Sequence, residues 1–125
     1  MKKEDLMIGD WVKIQTCEDD EPMYSQVEQL WECEIDADFQ TDYENIHPIE
    51  LTKEILYKNG FDGDGCLWIN VGNEKTLEYY PFEHRLILWY GKGKNQEILF
   101  KCQCFYVHEF QHALKMCGIK KEIVL

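Results

Sequence analysis

Alternating apolar and polar positions predict β-strands in the first part of the chain. Residues 10–16 alternate apolar with polar side chains, which is typical of a half-buried strand. The segment 23–35 fits helical and strand patterns in part, and its content of Tyr, Val, Trp, Cys and Ile favours a strand. A third short strand is predicted at 41–47. These strands predict a small, twisted antiparallel unit, and a barrel-like arrangement is compatible with them.

A helix followed by an antiparallel meander is predicted for the middle of the chain. The helix, at about 51–59, has Thr52 as an N-cap candidate, and Gly60 can end it in the left-handed conformation. Residues 66–103 then contain four strand-like segments, CLWINV, KTLEYYPF, RLILWYG and QEILFKCQC. Residues typical of turns separate these segments, so that neighbouring strands are expected to pair antiparallel.

A second helix, predicted at about 106–117, has one apolar side. His108 and His112 lie opposite that side, so both imidazoles are expected to face solvent, and Gly118 is placed to end the helix. The apolar residues recur at helical spacing, and they are Val107, Phe110, Ala113, Leu114 and Cys117.

The predicted fold class is therefore α+β, with an antiparallel sheet or a small barrel-like unit and two helices, at about 51–59 and 106–117. A chain of 125 residues has the usual size of one domain. We expect a single domain over 1–125, with a β-rich N-terminal unit at 1–47. Residues 48–125 would supply the first helix, the meander and the C-terminal helix.

The net charge of the chain limits the classes of partner that it is expected to bind. The chain has 24 acidic and 13 basic residues and a formal net charge of −11, which repels phosphate backbones and anionic membrane surfaces. The acidic run Glu18-Asp19-Asp20-Glu21 is predicted to be a solvated loop. No apolar run is long enough for a membrane span, and the N-terminus lacks an apolar signal segment. We expect a cytoplasmic protein whose partner is another protein, with no direct nucleic-acid or membrane binding.

One motif suggests catalysis. His108-Glu109-Phe110-Gln111-His112 matches the H-E-x-x-H pattern of zinc hydrolases, in which two histidines bind zinc and the glutamate activates water. A catalytic zinc requires a third ligand, and Glu122 is the sole carboxylate after the motif. Because both histidines lie opposite the apolar side, we interpret the match as fortuitous. We expect no catalytic residue, metal ligand or cofactor, and we keep His108 and Gln111 as a candidate polar interaction site.

The cysteines are expected to be reduced thiols without a metal. Cys102 and Cys104 lie close in sequence to His108 and His112, which suggests a metal site. However, the two cysteines alternate with Lys101 and Gln103, as expected for the inward side of a strand, and free cysteine is commonly buried.

Three phrases of the chain, in this order, carry a resemblance to a known family. They are Leu6-x-Ile8-Gly9-Asp10-Trp11-Val12, Ile46-His47-Pro48-Ile49-Glu50-Leu51-Thr52 and the ending Tyr106-Val107-His108-x-Phe110-Gln111. On these residues the chain resembles a family of small uncharacterised proteins of gut anaerobic bacteria, their phages and mobile elements. Because that family usually has asparagine where His112 stands, the resemblance implies that His112 is not a ligand. It implies no activity.

Three hypotheses about function follow from the sequence. We expect a small soluble cytosolic interaction or accessory protein without catalytic activity. The alternative is an acidic, nucleic-acid-mimicking inhibitor of a DNA-binding protein, which is suggested by the net charge. A third hypothesis is a zinc-dependent hydrolase that uses His108, Glu109 and His112.

Overall fold

The chain folds into two compact units. The computed structural model describes residues 1–17, 21–31 and 34–125. The units are Met1–Glu50 with Tyr106–His108, and Leu51–Phe105 with Glu109–Leu125. Of the predicted solvated loop at 18–21, only Glu21 lies within the described residues, and it is exposed.

The described residues form two α-helices and three antiparallel sheets, which confirms the predicted α+β class. The helices are α1 (Lys53–Lys58) and α2 (Val107–Met116). The strands are β1 (Trp11–Ile14), β2 (Met23–Gln26), β3 (Gln29–Leu30), β4 (Glu34–Ala37), β5 (Phe39–Asp42), β6 (Ile46–His47), β7 (Asp62–Gly63), β8 (Leu67–Gly72), β9 (Lys75–Tyr80), β10 (Arg85–Tyr90) and β11 (Glu97–Gln103).

The first unit has two three-stranded antiparallel sheets, in the orders β2-β1-β6 and β3-β4-β5. The strand predicted at 10–16 is confirmed as β1. The strand prediction for 23–35 is also confirmed, although the chain divides there into β2, β3 and the start of β4. The apolar residues buried together in this unit are Leu6, Val12, Ile14, Val27, Ile35, Ala37 and Ile46.

Two predictions for the first unit are wrong. The single strand predicted at 41–47 is instead the end of β5, a 3₁₀ helix at Tyr43–Asn45, and β6. The 3₁₀ turn is closed by the Ile46 N–H, which donates to the Tyr43 carbonyl, and it redirects the chain so that β6 pairs with β1. An alternating pattern cannot detect one such turn. The barrel-like arrangement is also absent from the described residues, because the strands form separate sheets and no closed barrel.

The second unit contains the predicted meander. Its five-stranded sheet has the order β11-β10-β9-β8-β7, in which the four strands predicted within 66–103 are neighbours. The β8–β9 hairpin has a two-residue turn, Asn73-Glu74, with φ of 53° and 60°. Tyr79 on β9 is 1% exposed, and its hydroxyl donates to the Cys104 carbonyl at 2.7 Å.

Helix α1 begins and ends as predicted, at slightly shorter bounds. The Thr52 hydroxyl accepts the Ile55 N–H at 3.3 Å, which confirms the N-cap. Gly60 has φ of 91°, and the Phe61 N–H donates to the Leu56 carbonyl, as in a Schellman ending.

Helix α2 also agrees with its predicted bounds to within one residue. Phe110, Ala113 and Leu114 are buried, and the Phe110 ring meets the Phe61 ring edge-on with centroids 5.9 Å apart. The helix ends as predicted, because Gly118 has φ of 70° and the next N–H, of Ile119, donates to the Leu114 carbonyl at 2.9 Å. Four of the five residues predicted for the apolar side are buried, and the fifth, Cys117, is half-buried.

Candidate functional site

The H-E-x-x-H motif lies at the start of α2, but the prediction that His108 faces solvent is wrong. His108 is only 7% exposed, and its ring stacks on Tyr106 with centroids 5.9 Å apart and planes 11° apart. The preceding Val107 N–H donates to the Ile49 carbonyl at 2.8 Å, and Tyr106 forms an antiparallel bridge with Glu50. Within the first unit, Tyr106 and Val107 are therefore held against the 49–50 segment, a constraint that helical periodicity does not contain.

Glu109, the motif's candidate general base, has a structural partner. Its Oε1 accepts the Phe105 N–H at 2.9 Å, just ahead of the helix. A glutamate in the first helical turn that accepts a backbone N–H at the helix entrance resembles the capping box. The carboxylate therefore helps to fix the entry of the chain into α2.

The last two residues of the motif are less enclosed than His108. Gln111 and His112 are half-buried. Within residues 1–17, 21–31 and 34–125, no three His, Cys, Asp or Glu side chains are close enough together to hold a metal ion. The structure thus gives His108 and Glu109 local structural contacts, and the polar interaction site at His108 and Gln111 stays a prediction.

The cysteine pair near α2 is packed as predicted. Cys104 is buried and Cys102 is half-buried, whereas Lys101 and Gln103 are exposed. The two sulfur atoms are 3.6 Å apart. Burial raises the pKa of both thiols above the ordinary value. Both thiols therefore stay protonated near neutral pH, which makes them weak nucleophiles.

A tight turn before β1 presents an apolar side chain to solvent. The Asp10 N–H donates to the Met7 carbonyl at 3.1 Å, and the Asp10 carboxylate accepts the Met7 N–H at 2.8 Å. Gly9 has φ of 94° at the third position of this turn, where a side chain would be strained. The Gly9 N–H also donates to the Val27 carbonyl at 2.7 Å. The turn leaves Ile8 58% exposed.

Beside this turn lies a groove with a volume of about 540 Å³, which we call the acidic groove. Trp11 on β1 pairs with Gln26 on β2, so their side chains share one face with Tyr24, two residues earlier. Tyr24 is 52% exposed and Trp11 is half-buried. The side chains that define the groove are Ile8, Trp11, Tyr24, Gln26, Glu28 and Asp38.

The excess of negative over positive charge lies in the part of the sequence that forms this groove. Residues 1–50 contain 15 acidic and three basic residues, for a net charge of −12, whereas residues 51–125 contain nine acidic and ten basic residues, for a net charge of +1. Glu28 and Asp38 are both exposed at the groove. The groove therefore combines aromatic and apolar walls with carboxylates, in the strongly acidic part of the sequence.

The sequence contained a signal for this groove. Trp11 lies on the polar side of the alternating pattern at 10–16. A large aromatic side chain at such a position indicates an exposed binding surface as readily as a core position. The contributions of Ile8 and Asp38 depend on a turn and on strand pairing, and periodicity does not encode either. Asp38 has φ of 63° between β4 and β5.

Comparisons with known proteins add no relative. The chain matches no protein-family model, no curated protein sequence and no solved structure. Among the residues that the structure describes, no helix has the length and apolar character required to cross a lipid bilayer.

Proposed function

We propose that this chain is a small interaction protein, without a catalytic step, whose acidic groove binds a positively charged, extended segment of a partner protein. The observation that carries the proposal is the combination of Trp11 and Tyr24 with Glu28 and Asp38 in one groove. The proposal places the protein in the cytoplasm, where reducing conditions would maintain the five described free thiols.

The chemistry of the groove favours lysine and arginine side chains. Each has an aliphatic stem that packs on aromatic rings and a cationic head that carboxylates and ring faces attract. Trp11 and Tyr24 supply the rings, and Glu28 and Asp38 supply the carboxylates. The net charge of −12 in residues 1–50 also steers a cationic partner toward this unit during the encounter.

The size and openness of the groove favour a peptide segment over a single small molecule. A volume of about 540 Å³ accommodates several successive side chains, and Ile8 and Tyr24 are each more than half exposed at its wall. An open site of this kind suits a chain that runs along the surface. The exposed apolar surface of Ile8 also gives a partner residue an apolar contact beside the charged ones.

Selection from a peptide library tests the proposal. The full chain is immobilised and used to select from a random displayed library, and the recovered peptides are titrated by isothermal calorimetry. We expect enrichment of Lys and Arg, with affinity that falls as salt rises. Replacing Glu28→Gln together with Asp38→Asn should weaken binding by about twofold to thirtyfold, because each exposed ion pair contributes roughly 0.2–1 kcal/mol.

A matched variant controls for net charge. Glu74→Gln with Glu97→Gln removes the same charge from exposed positions in residues 51–125, and it should leave the affinity within about twofold. Tyr24→Ala should weaken binding without changing the charge. Selection without Lys or Arg enrichment, or equal losses in the two charge variants, would show that the groove is not the site.

The charge distribution favours one second candidate, an inhibitor that mimics nucleic acid. A segment with a net charge of −12 can compete with DNA for the basic surface of a DNA-binding protein. The test is elution of such proteins from immobilised duplex DNA by the full chain. A mimic acts through total charge, so Glu28→Gln with Asp38→Asn should elute almost as well as the parent. Failure of the parent to elute any DNA-binding protein would remove this candidate.

A further inference from the structure

A second groove lies in the other unit and has the opposite charge. It has a volume of about 470 Å³, and no Asp or Glu is among its described lining residues. We call it the lysine groove. The residues that define it are Asn70, Asn73, Lys75, Cys117, Lys120 and Lys121.

The backbone that carries the lysines of this groove is held by strand pairing and hydrogen bonds. Lys75 begins β9 and pairs with Tyr90 on β10. Lys120 and Lys121 follow the end of α2, where the Ile119 N–H donates to the Leu114 carbonyl.

Further along, the terminal segment is held by Asn59. The Asn59 side-chain amide donates to the Val124 carbonyl at 2.7 Å, and its Oδ1 accepts the Val124 N–H at 2.9 Å. Asn59 is only 4% exposed and Val124 is 53% exposed, so this two-way contact is partly shielded from water. The backbone of Lys120 and Lys121 is thus fixed on both sides.

Lys75, Lys120 and Lys121 form no ion pair in the part of the chain that the structure describes. Lys75 and Lys121 are half-buried and Lys120 is exposed, so the two half-buried side chains pack their aliphatic stems against the chain. Three cations that line one groove repel one another, and an anion bound there would relieve that repulsion.

Neutral donors accompany the lysines. The Thr76 hydroxyl donates to Asn70 Oδ1 at 3.1 Å, so the carbonyl end of this amide is occupied and its NH₂ end remains as a donor. Cys117 and Lys75 both line the groove. Burial and then Cys102 raise the pKa of the Cys117 thiol, and the positive charge of Lys75 acts in the opposite direction. Lysine and amide donors thus converge on one space.

From this arrangement we infer that the lysine groove binds a small, multiply charged anion of the diphosphate type, either inorganic or as part of a nucleotide. A groove of about 470 Å³ falls in the usual range for small-molecule sites, roughly 300–1,000 Å³. An extended polyanion fits less well, because exposed Glu74 and Glu122 adjoin the lysines in sequence and would repel it. The inference is independent of the acidic groove.

Calorimetric titration of the full chain with inorganic pyrophosphate, and in a second arm with ADP, tests the inference. We expect saturable binding to one site that weakens as salt rises. Lys120→Gln with Lys121→Gln should lower the pyrophosphate affinity by about tenfold or more, because both charges act at close range. Tighter binding of ADP than of pyrophosphate would mean that the groove also holds the nucleoside.

The control pair is Lys92→Gln with Lys94→Gln, which removes the same charge from exposed positions near the β10–β11 turn. It should leave the affinity within about twofold. Pyrophosphate should also slow alkylation of Cys117 by iodoacetamide and leave the rate at Cys66 unchanged, as followed by peptide mass spectrometry. Absence of saturable binding in both arms, or equal losses in the two lysine pairs, would overturn the inference.

Discussion

Two tyrosines of the second unit show how burial changes the contribution of a hydrogen bond to stability. Tyr79 and Tyr57 both donate a hydroxyl hydrogen bond to a backbone carbonyl, at 2.7 and 2.8 Å. They differ in exposure, which is 1% for Tyr79 and 44% for Tyr57. The same bond geometry should therefore have different energetic consequences, because water can replace only the exposed bond.

The first prediction compares these two tyrosines. Tyr79→Phe should lower the free energy of unfolding by about 1–3 kcal/mol, because the buried Cys104 carbonyl loses its donor. Tyr57→Phe should cost less than about 0.5 kcal/mol. Urea denaturation followed by tryptophan fluorescence measures both. Equal midpoints for the two variants would show that the buried Tyr79 hydrogen bond adds no more to stability than the exposed Tyr57 bond.

The histidines show where residue-level prediction fails. The sequence placed both His108 and His112 on the solvent side of α2, and the structure leaves His112 half-buried while enclosing His108. A helical wheel gives the direction of a side chain from the helix axis. It contains no information about the Tyr106 ring or about the backbone at Ile49, which hold the first turn.

Among the helices and strands, the sequence predicted correctly those features that depend only on residues close together in the chain. The N-cap at Thr52 and the glycine endings at Gly60 and Gly118 depend on a few neighbouring residues, and all three are found. The break at Tyr43–Asn45 was missed because pairing of β6 with β1 determines it, and that partner is distant in sequence. The acidic groove was missed for the same reason.

The second prediction concerns the β7–β8 hairpin. Gly63 has φ of 110°, and a Cβ there would overlap the Cys66 carbonyl oxygen, so Gly63→Ala should cost about 2 kcal/mol or more. Gly65→Ala is the matched control, because its Cβ would meet nothing within 4 Å. It should change stability by less than about 0.5 kcal/mol. Similar melting temperatures for the two variants would contradict the described hairpin.

The third prediction tests whether the apolar side of α2 is structural. Phe110 is 0% and Leu114 is 2% exposed, so replacing either with alanine should cost roughly 2–5 kcal/mol. His112→Asn should cost less than about 0.5 kcal/mol, since His112 lies on the other side of the helix. Thermal melts of the three variants rank their stabilities. A normal melt for Leu114→Ala together with collapse of His112→Asn would mean that the histidines organise this helix.

At the scale of the whole molecule, the chain separates its charge by unit. The net charge of −11 expected to keep nucleic acid away is the sum of −12 in residues 1–50 and +1 in residues 51–125. The acidic groove belongs to the first of these segments and the lysine groove to the second. The net charge of the whole chain conceals this separation. The composition therefore suggested one uniformly acidic protein, whereas the two grooves suggest one site for cations and one for anions.

The central claim is that this protein works through the acidic groove and not through the histidines of α2. Backbone amide spectra of the full ¹⁵N-labelled chain, titrated with a Lys- and Arg-containing peptide recovered by selection, test it most directly. We expect the largest chemical-shift changes at Ile8, Trp11, Tyr24, Glu28 and Asp38. Shift changes centred on residues 108–112, with the groove unperturbed, would contradict it.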